Sequence, residues 1–295
     1  MKVLNFGSLN LDLVYQMEHI VQKEETYGAG RLEKFPGGKG LNQSVALANA
    51  GAAVYHAGNV GADGEILVHT LKSAGVDVEN IRFVESPSGH AVIQVDRDGD
   101  NAIILMGGAN QAIDEAQIDQ VLSNFGTGDY LVLQNEVNML DRIIEKAFER
   151  GMCIVLNPSP IDEKIATLPL HKVSIFMLNE IEGRAITGRT ETDEILDVLS
   201  ARFPNARVVL TLGGRGSVFM DKSKRIKQKA YRVPVVDTTA AGDTFTGFFV
   251  SGLLRGESPE EALDIAARAS AIAVSREGAA PSIPSIEEVC NTIRR

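Results

Sequence analysis

The sequence predicts an α/β fold with a largely parallel sheet covered by helices on both faces, and three observations carry that prediction. Apolar, β-rich runs of strand length occur at residues 2–7, 130–134, 153–156, 174–178 and 208–212. Helix-length periodic stretches such as residues 140–150 lie between them. The alternating order matters because parallel strands need long crossover connections, and those crossovers cover both sheet faces.

The length of 295 residues is near the upper end of what one hydrophobic core serves, so residues 1–295 are expected to form one domain. Two stretches interrupt the alternation. Residues 13–35 are more polar, and residues 89–105 alternate around the turn-like Asp98-Gly99-Asp100, which predicts a hairpin. Together they are expected to form a small β-sheet lid, inserted into the domain rather than separate from it. No Pro/Ser-rich linker, internal repeat or long block of like charge marks a boundary.

Composition narrows the partners. Apolar residues make up 44% and charged residues 23%, as in ordinary globular chains, and no apolar run reaches bilayer length, so no membrane partner is expected. Met1-Lys2-Val3-Leu4 runs straight into a strand pattern without a secretory leader's features, which predicts a cytoplasmic protein. Cys153 and Cys290 are far apart and suggest neither disulfide nor metal, and the five histidines (His19, His56, His69, His90, His171) lack metal-like spacing. A net charge of −10 opposes a nucleic-acid partner, and the basic residues 222–227 beside Asp221 read as a solvated hairpin.

Polar residues gather where strands end. Asn10 and Asp12 follow the first run, Glu136 another, and Asn157, Asn179 and Thr211 close three more. Any one of them alone is a turn residue. Their recurrence points to the sheet edge where open α/β folds bind ligands.

Three glycine-containing segments add to this edge. Gly37-Gly38-Lys39-Gly40-Leu41-Asn42 precedes a helix-like run at 43–50, yet it is not a phosphate-binding P-loop, and no dinucleotide glycine fingerprint occurs, which opposes a nicotinamide dehydrogenase. Asp237-Thr238-Thr239-Ala240-Ala241-Gly242-Asp243-Thr244-Phe245 leads into an apolar helix at 246–254. Exposed amides at that helix start would form an anion hole. Alone, Asp243 reads equally well as a helix-start acid and Gly242 as a turn residue. Thr211-Leu212-Gly213-Gly214-Arg215-Gly216 fits either a tight turn or a nucleotide approach.

Taken in order, with Asn10-Leu11-Asp12, Gly107-Gly108-Ala109-Asn110, and Asn179 with Glu182, these segments resemble the ribokinase (PfkB) sugar-kinase family from about residue 3 to residue 282. The resemblance implies a three-layer α/β/α fold with a small β-sheet lid, and transfer of the ATP γ-phosphoryl group to a sugar hydroxymethyl group. Asn10, Asp12, Gly38, Lys39, Gly40, Asn42, Glu136 and Asp243 would hold the sugar, and Asp243 would be the catalytic base. Ala240, Ala241 and Gly242 would form the anion hole. ATP would meet Asn179, Thr211, Leu212, Gly213, Gly214, Arg215, Gly216, Gly242 and Ala267, although Ala267 stands where this family often has Asn or His. Glu182 would hold Mg²⁺ through water. A K⁺ site would comprise Asp237, Thr239, Ala273, Arg276, Gly278 and Ser282. The lid would join two copies into a homodimer.

The expected acceptor is D-ribose, giving D-ribose 5-phosphate. Fructose, a keto-deoxy sugar acid, a sugar phosphate or a nucleoside stays open as an alternative. So does a catalytically silent sensor, which the presence of Asp243 opposes.

Overall fold

The computed structural model describes residues 1–292. Strand β1 (Val3–Phe6) shows why the main sheet is covered twice, because all of its residues are fully buried. Val3 packs into one apolar cluster while Leu4 and Phe6 point into the other, the period-2 alternation of a strand between two layers. Each such Leu or Phe contributes about 1.5–3 kcal/mol of burial.

The first half of the chain continues with β2 (Asn10–Gln16), β3 (Arg31–Gly37), α1 (Lys39–Asn49), β4 (Val54–Val60), α2 (Glu65–Ser73), β5 (Asp77–Phe83), β6 (Gly89–Val95), β7 (Asn101–Met106), α3 (Glu115–Leu122), β8 (Tyr130–Gln134) and α4 (Leu140–Glu149). The second half runs through β9 (Cys153–Asn157), β10 (Ile175–Asn179), α5 (Glu180–Thr187), α6 (Thr192–Arg202), β11 (Arg207–Thr211), β12 (Ser217–Met220), β13 (Arg225–Gln228), α7 (Ala241–Leu254), α8 (Pro259–Val274) and α9 (Ile286–Thr292).

The main sheet has the order β13-β12-β11-β10-β9-β8-β1-β4-β5. Its strands are parallel from β11 through β5, and β12 and β13 add an antiparallel hairpin at one edge. That hairpin carries the basic stretch 222–227. Strand order reverses beside β1, which lies between β8 and β4, so the carboxyl ends of β1 and β8 flank a topological switch point.

A second sheet has the order β3-β2-β6-β7, with β2 and β6 parallel and the outer pairs antiparallel. The hairpin expected within 89–105 is β6 and β7, with Gly99 at φ +86° in the turn. The polar region beginning at residue 13 is ordered at both ends: β2 begins earlier, at Asn10, and β3 ends at Gly37. Asn10 and Asp12 therefore sit in the small sheet and not in a loop after β1. Their polar side chains hid a strand one face of which lines a cleft.

Two helix starts also differ from the sequence reading. Helix α1 begins at Lys39, not at residue 43, and α7 at Ala241, not at residue 246. Glycine and polar residues in a first turn signal a loop, but here they belong to helix starts whose residues line the cleft. Glycine acts again farther along, at the α1–α7 contact. A Cβ on Gly247 would lie 2.4 Å from Ala46 Cβ and 2.7 Å from the Ala46 carbonyl carbon, so glycine lets the two helices approach and brings Asn42 against Asp243.

Candidate active site

A cleft of about 860 Å³ opens over the carboxyl edge of the main sheet, with the small sheet forming its other wall. Asn10, Asp12, Gly38, Lys39, Asn42, Glu136, Asn179, Glu182, Thr211, Asp237, Thr239, Gly278 and residues 240–243 all line it. Residues far apart in sequence thus share one space.

The start of α1 is held by groups outside the helix. Gly38, at φ +92°, has no side chain to cap it, so the first amides find partners elsewhere. Lys39 N–H donates to Glu136 Oε2 at 3.0 Å, Gly40 N–H to Ser8 Oγ at 3.1 Å, and Leu41 N–H to the Ser8 carbonyl at 3.0 Å. The Ser8 hydroxyl in turn donates to the Glu136 carboxylate. Gly40 is required here because a Cβ would sit 2.3 Å from the Ser8 amide nitrogen. Ser8, which the sequence reading passed over, thus docks the Gly-Gly-Lys-Gly segment; a small hydroxyl residue after a strand gave too weak a signal.

Two acids on this side are destabilised as anions. Burial, with the Glu136 charge second, pushes Asp12 up to about 6 from 3.8. Burial also raises Glu136, against the Ser8 hydroxyl and the Lys39 charge. Lys39 is held protonated chiefly by Asp243, with Glu136 and Glu182 adding to this against its own burial.

Asp243, 5% exposed, lies in the first turn of α7. Its Oδ2 accepts from Asn42 Nδ2 at 3.2 Å and its Oδ1 from Gln43 Nε2 at 2.9 Å. Asn42 Oδ1 is buried without a partner. Ahead of Asp243, Ala240 takes a left-handed conformation, φ +59°, which costs about 1–3 kcal/mol for a residue with a side chain. That turn leaves the Gly242 and Asp243 amides with no protein acceptor among the described residues, and both line the cleft.

Asn179 caps α5 in a reciprocal box with Glu182: Asn179 Oδ1 accepts from Glu182 N–H, and the Asn179 amide donates to Glu182 Oε2, each at 2.9 Å. Glu182 is 3% exposed. Burial raises its proton affinity against these hydrogen bonds. Its carboxylate meets the Asn179 and Asn157 amides and the Ser159 hydroxyl and lines the cleft, where an acidic acceptor fits a hydrated Mg²⁺ through metal-bound water.

Asp237 ties two segments together. Its Oδ1 accepts from the Thr239 amide and hydroxyl at 2.8 and 2.6 Å, and its Oδ2 accepts from the Gly278 amide at 3.0 Å. Burial opposes its charge, but these donors prevail and hold the carboxyl below its ordinary range. Arg276 N–H donates to the Ala273 carbonyl, the Arg276 guanidinium pairs with Glu288, and the Ser282 hydroxyl donates to the Ala279 carbonyl. Asp237, Thr239 and Gly278 line the cleft, whereas Ala273, Arg276 and Ser282 do not; the oxygens these residues carry are carboxylate, hydroxyl and carbonyl, the types that suit a hard cation.

Some expected nucleotide contacts lie elsewhere. Leu212, Gly213, Gly214, Arg215 and Gly216 form a turn between β11 and β12 that does not line the cleft, with exposed Arg215 paired to Glu180. Ala267 is buried in the apolar cluster around α1, α7 and α8.

Comparison with known proteins decides the family. The pfkB family carbohydrate kinase model matches residues 1–286. The chain belongs to the pfkB family of carbohydrate kinases. The Haemophilus influenzae ribokinase is 33% identical to this pfkB-family chain over 291 residues, covering 96% of this chain and 95% of its own length. A structure of Arabidopsis thaliana ribokinase complexed with ribose and ATP superposes with a TM-score of 0.89 at 31% identity, covering 98% of this chain and 97% of its own. A ribokinase from Cryptococcus neoformans in complex with ADP gives 0.86 at 32% identity, with 99% of each chain covered. The family's three-layer architecture with a small second sheet is the one described above.

Proposed function

We propose that this pfkB-family kinase phosphorylates D-ribose with ATP, and that Asp243 is its catalytic base. The observation that carries this is the juxtaposition of a buried carboxylate with unpaired helix-start amides, in one cleft that also holds Asn10, Asp12 and Glu136. The ribose- and ATP-bound relative supports the choice of substrates.

Asn10, Asp12, Gly38, Lys39, Asn42 and Glu136 would hold the sugar; Gly40, expected with them, does not line the cleft, and its amide and carbonyl are taken by Ser8 and Asn5. The orphaned Asn42 Oδ1 has an unused acceptor for a sugar hydroxyl, and Asp12 and Glu136 accept from others. Asp243 takes the proton of the 5-hydroxyl as that oxygen attacks the γ-phosphorus. The new O–P bond forms as the bond from phosphorus to the bridging oxygen of ADP breaks. Ribose 5-phosphate and ADP leave, and Asp243 returns its proton to water. The amides of Ala240, Gly242 and Asp243 would receive the negative oxygens of the moving phosphoryl group; the Ala241 amide, expected among them, donates instead to the Thr238 carbonyl at 3.3 Å.

Asn179 and Thr211, which line the cleft, would form its nucleotide wall, with the 212–216 turn that follows Thr211 extending it outside the cleft; Ala267, buried in the core, would offer a base at most a methyl group. Mg²⁺, held through water by Glu182, supplies charge neutralisation at the ATP phosphates when bound. K⁺ would lie among Asp237, Thr239, Ser282 and the carbonyls of Ala273, Arg276 and Gly278, beside the anion hole. Exposed Ile103, Ile104, Leu105 and Met106 on edge strand β7 are the surface through which the lid would pair with a second copy. Among the described residues no helix is long and apolar enough to cross a membrane, and cytoplasmic residence is part of this reading.

The deciding assay is ADP release with Mg²⁺ and K⁺ across ribose, 2-deoxyribose, fructose, a keto-deoxy sugar acid, fructose phosphates and nucleosides. Ribose-selective turnover is expected. A different preferred acceptor overturns the substrate, and binding without any turnover overturns the kinase reading.

A further inference from the structure

Gln43 is the second residue of α1 to reach Asp243, and its surroundings leave its amide only one orientation. The side chain is fully buried. Its Nε2 donates to Asp243 Oδ1 at 2.9 Å and to Asn157 Oδ1 at 3.1 Å, while its Oε1 accepts from Gln134 Nε2 at 2.7 Å.

Both neighbouring amides are oriented by backbone carbonyls, which only accept. Asn157 Nδ2 donates to the Met177 carbonyl at 3.0 Å, so its Oδ1 is turned toward Gln43. Asn5 Nδ2 donates to the Gly40 carbonyl at 2.8 Å, so its Oδ1 accepts from Gln134 Nε2 at 3.0 Å, and Gln134 presents a donor to Gln43. The polarity of the chain therefore runs from two carbonyls to the carboxylate without a free flip. Asn157 also donates to Glu182 Oε2 at 3.4 Å, linking the same amide to the acid assigned to hydrated Mg²⁺.

We propose that Gln43 is a positioning residue for the reaction, fixing the Asp243 carboxylate through a directional amide relay (Asn5, Gln134, Gln43) and coupling it through Asn157 to Glu182. The inference rests on the reading of Asp243 as catalytic base. A buried carboxylate held by Asn42 alone can rotate about its side-chain bonds. A second donor on the other oxygen fixes its plane toward the sugar hydroxyl. Misplacement by about 1 Å can cost about 10²-fold in rate, so the relay acts on kcat and leaves the sugar's other contacts intact.

The test compares purified full-length Gln43→Met, Gln43→Glu, Asp243→Asn and Gln117→Met with ribose and ATP. Gln117 is an equally buried glutamine on α3 that donates to Asn59 Oδ1 and the Gly58 carbonyl, and it serves as a control for loss of a buried amide. Gln43→Met is expected to lower kcat by about 10- to 100-fold with both KM values within about twofold. Gln117→Met should lower only the melting temperature.

Gln43→Glu keeps the shape and places a carboxyl beside Asp243, where Lys39 is the neighbouring cation and Glu136 and Glu182 are the neighbouring anions. Two carboxyls sharing a site bind a proton more tightly, so the acidic limb of the kcat/KM profile should move to higher pH by about one unit or more. If both Gln43 variants keep kcat within twofold while Asp243→Asn is inactive, the relay has no positioning role and the inference falls alone. A rise of ribose KM in step with the loss of kcat overturns it too, by making Gln43 a pocket-shaping residue. Full turnover by Asp243→Asn removes the underlying reading instead.

Discussion

The two sheets that wall the cleft are built on opposite terms. The main sheet's central strands are buried on both faces, as Leu131, Val132, Leu133, Ile154, Val155 and Leu156 show. In the small sheet, β7 leaves Ile103, Ile104, Leu105 and Met106 at 54–63% exposure, and β3 exposes Leu32 and Phe35. The first holds its side chains by close packing; the second has few apolar contacts to fix it. The residues proposed as base, anion hole and Mg²⁺ acid stand on or at the start of helices packed against the main sheet, whereas Asn10 and Asp12 stand on the small one. The difference teaches that the residues assigned to the chemistry sit on the twice-covered wall, while the half-exposed sheet adds sugar-facing side chains from across the cleft.

The largest effect that would sharpen this contrast is on turnover. Asp243→Asn should cut kcat by about 10²- to 10⁴-fold while sugar binding, measured by calorimetry, persists; near-normal turnover would refute its role as base. Next comes stability. Phe248→Ala, at a fully buried site on α7, should cost about 3–5 kcal/mol in denaturant unfolding, whereas Ile104→Ala on the small sheet should cost less than about 0.5 kcal/mol. Equal losses would break the comparison.

A third test concerns Asp12. Its raised proton affinity has a sign: the folded state binds the extra proton, so its contribution to stability falls as pH rises from about 3.8 to about 6. Sugar binding needs the carboxylate, so ribose KM should increase as pH drops through about 6, and Asp12→Asn should flatten that dependence while weakening binding about 10- to 100-fold. A pH-dependent KM that survives Asp12→Asn would place the titrating group elsewhere. The mildest expected change is Glu182→Gln, which keeps a capping-box residue but loses the charge. The Mg²⁺ concentration for half-maximal activity should rise about tenfold with the melting temperature nearly unchanged, and an unmoved Mg²⁺ requirement would take Glu182 out of metal binding.

Much of this was legible in the sequence for identifiable reasons. Runs such as residues 130–134 and 208–212 are apolar because both strand faces are buried, and that pattern survives without any structure. Asn179 and Glu182 were legible through the resemblance, whose Asn and Glu lie three positions apart, and the structure shows that spacing as a local capping box. The start of α1 was obscured because Lys39 and Gly40 are helical only through Ser8 and Glu136, partners distant in sequence. β2 was obscured because Asn10 and Asp12 face a cleft. Gln43, Gln134 and Asn5 look like ordinary interior polar residues, and only the fold shows that they meet beneath the base.

The bonds that hold Asp243 come from residues 42 and 43, two hundred positions earlier in the chain. A growing polypeptide can lay down β1, α1 and most of the main sheet and still have no base. The sugar-facing half of the cleft is made early, and the reactive half arrives only when α7 docks on α1. Synthesis itself therefore orders the assembly: a chain that stops before α7 lacks the carboxylate proposed to activate the sugar.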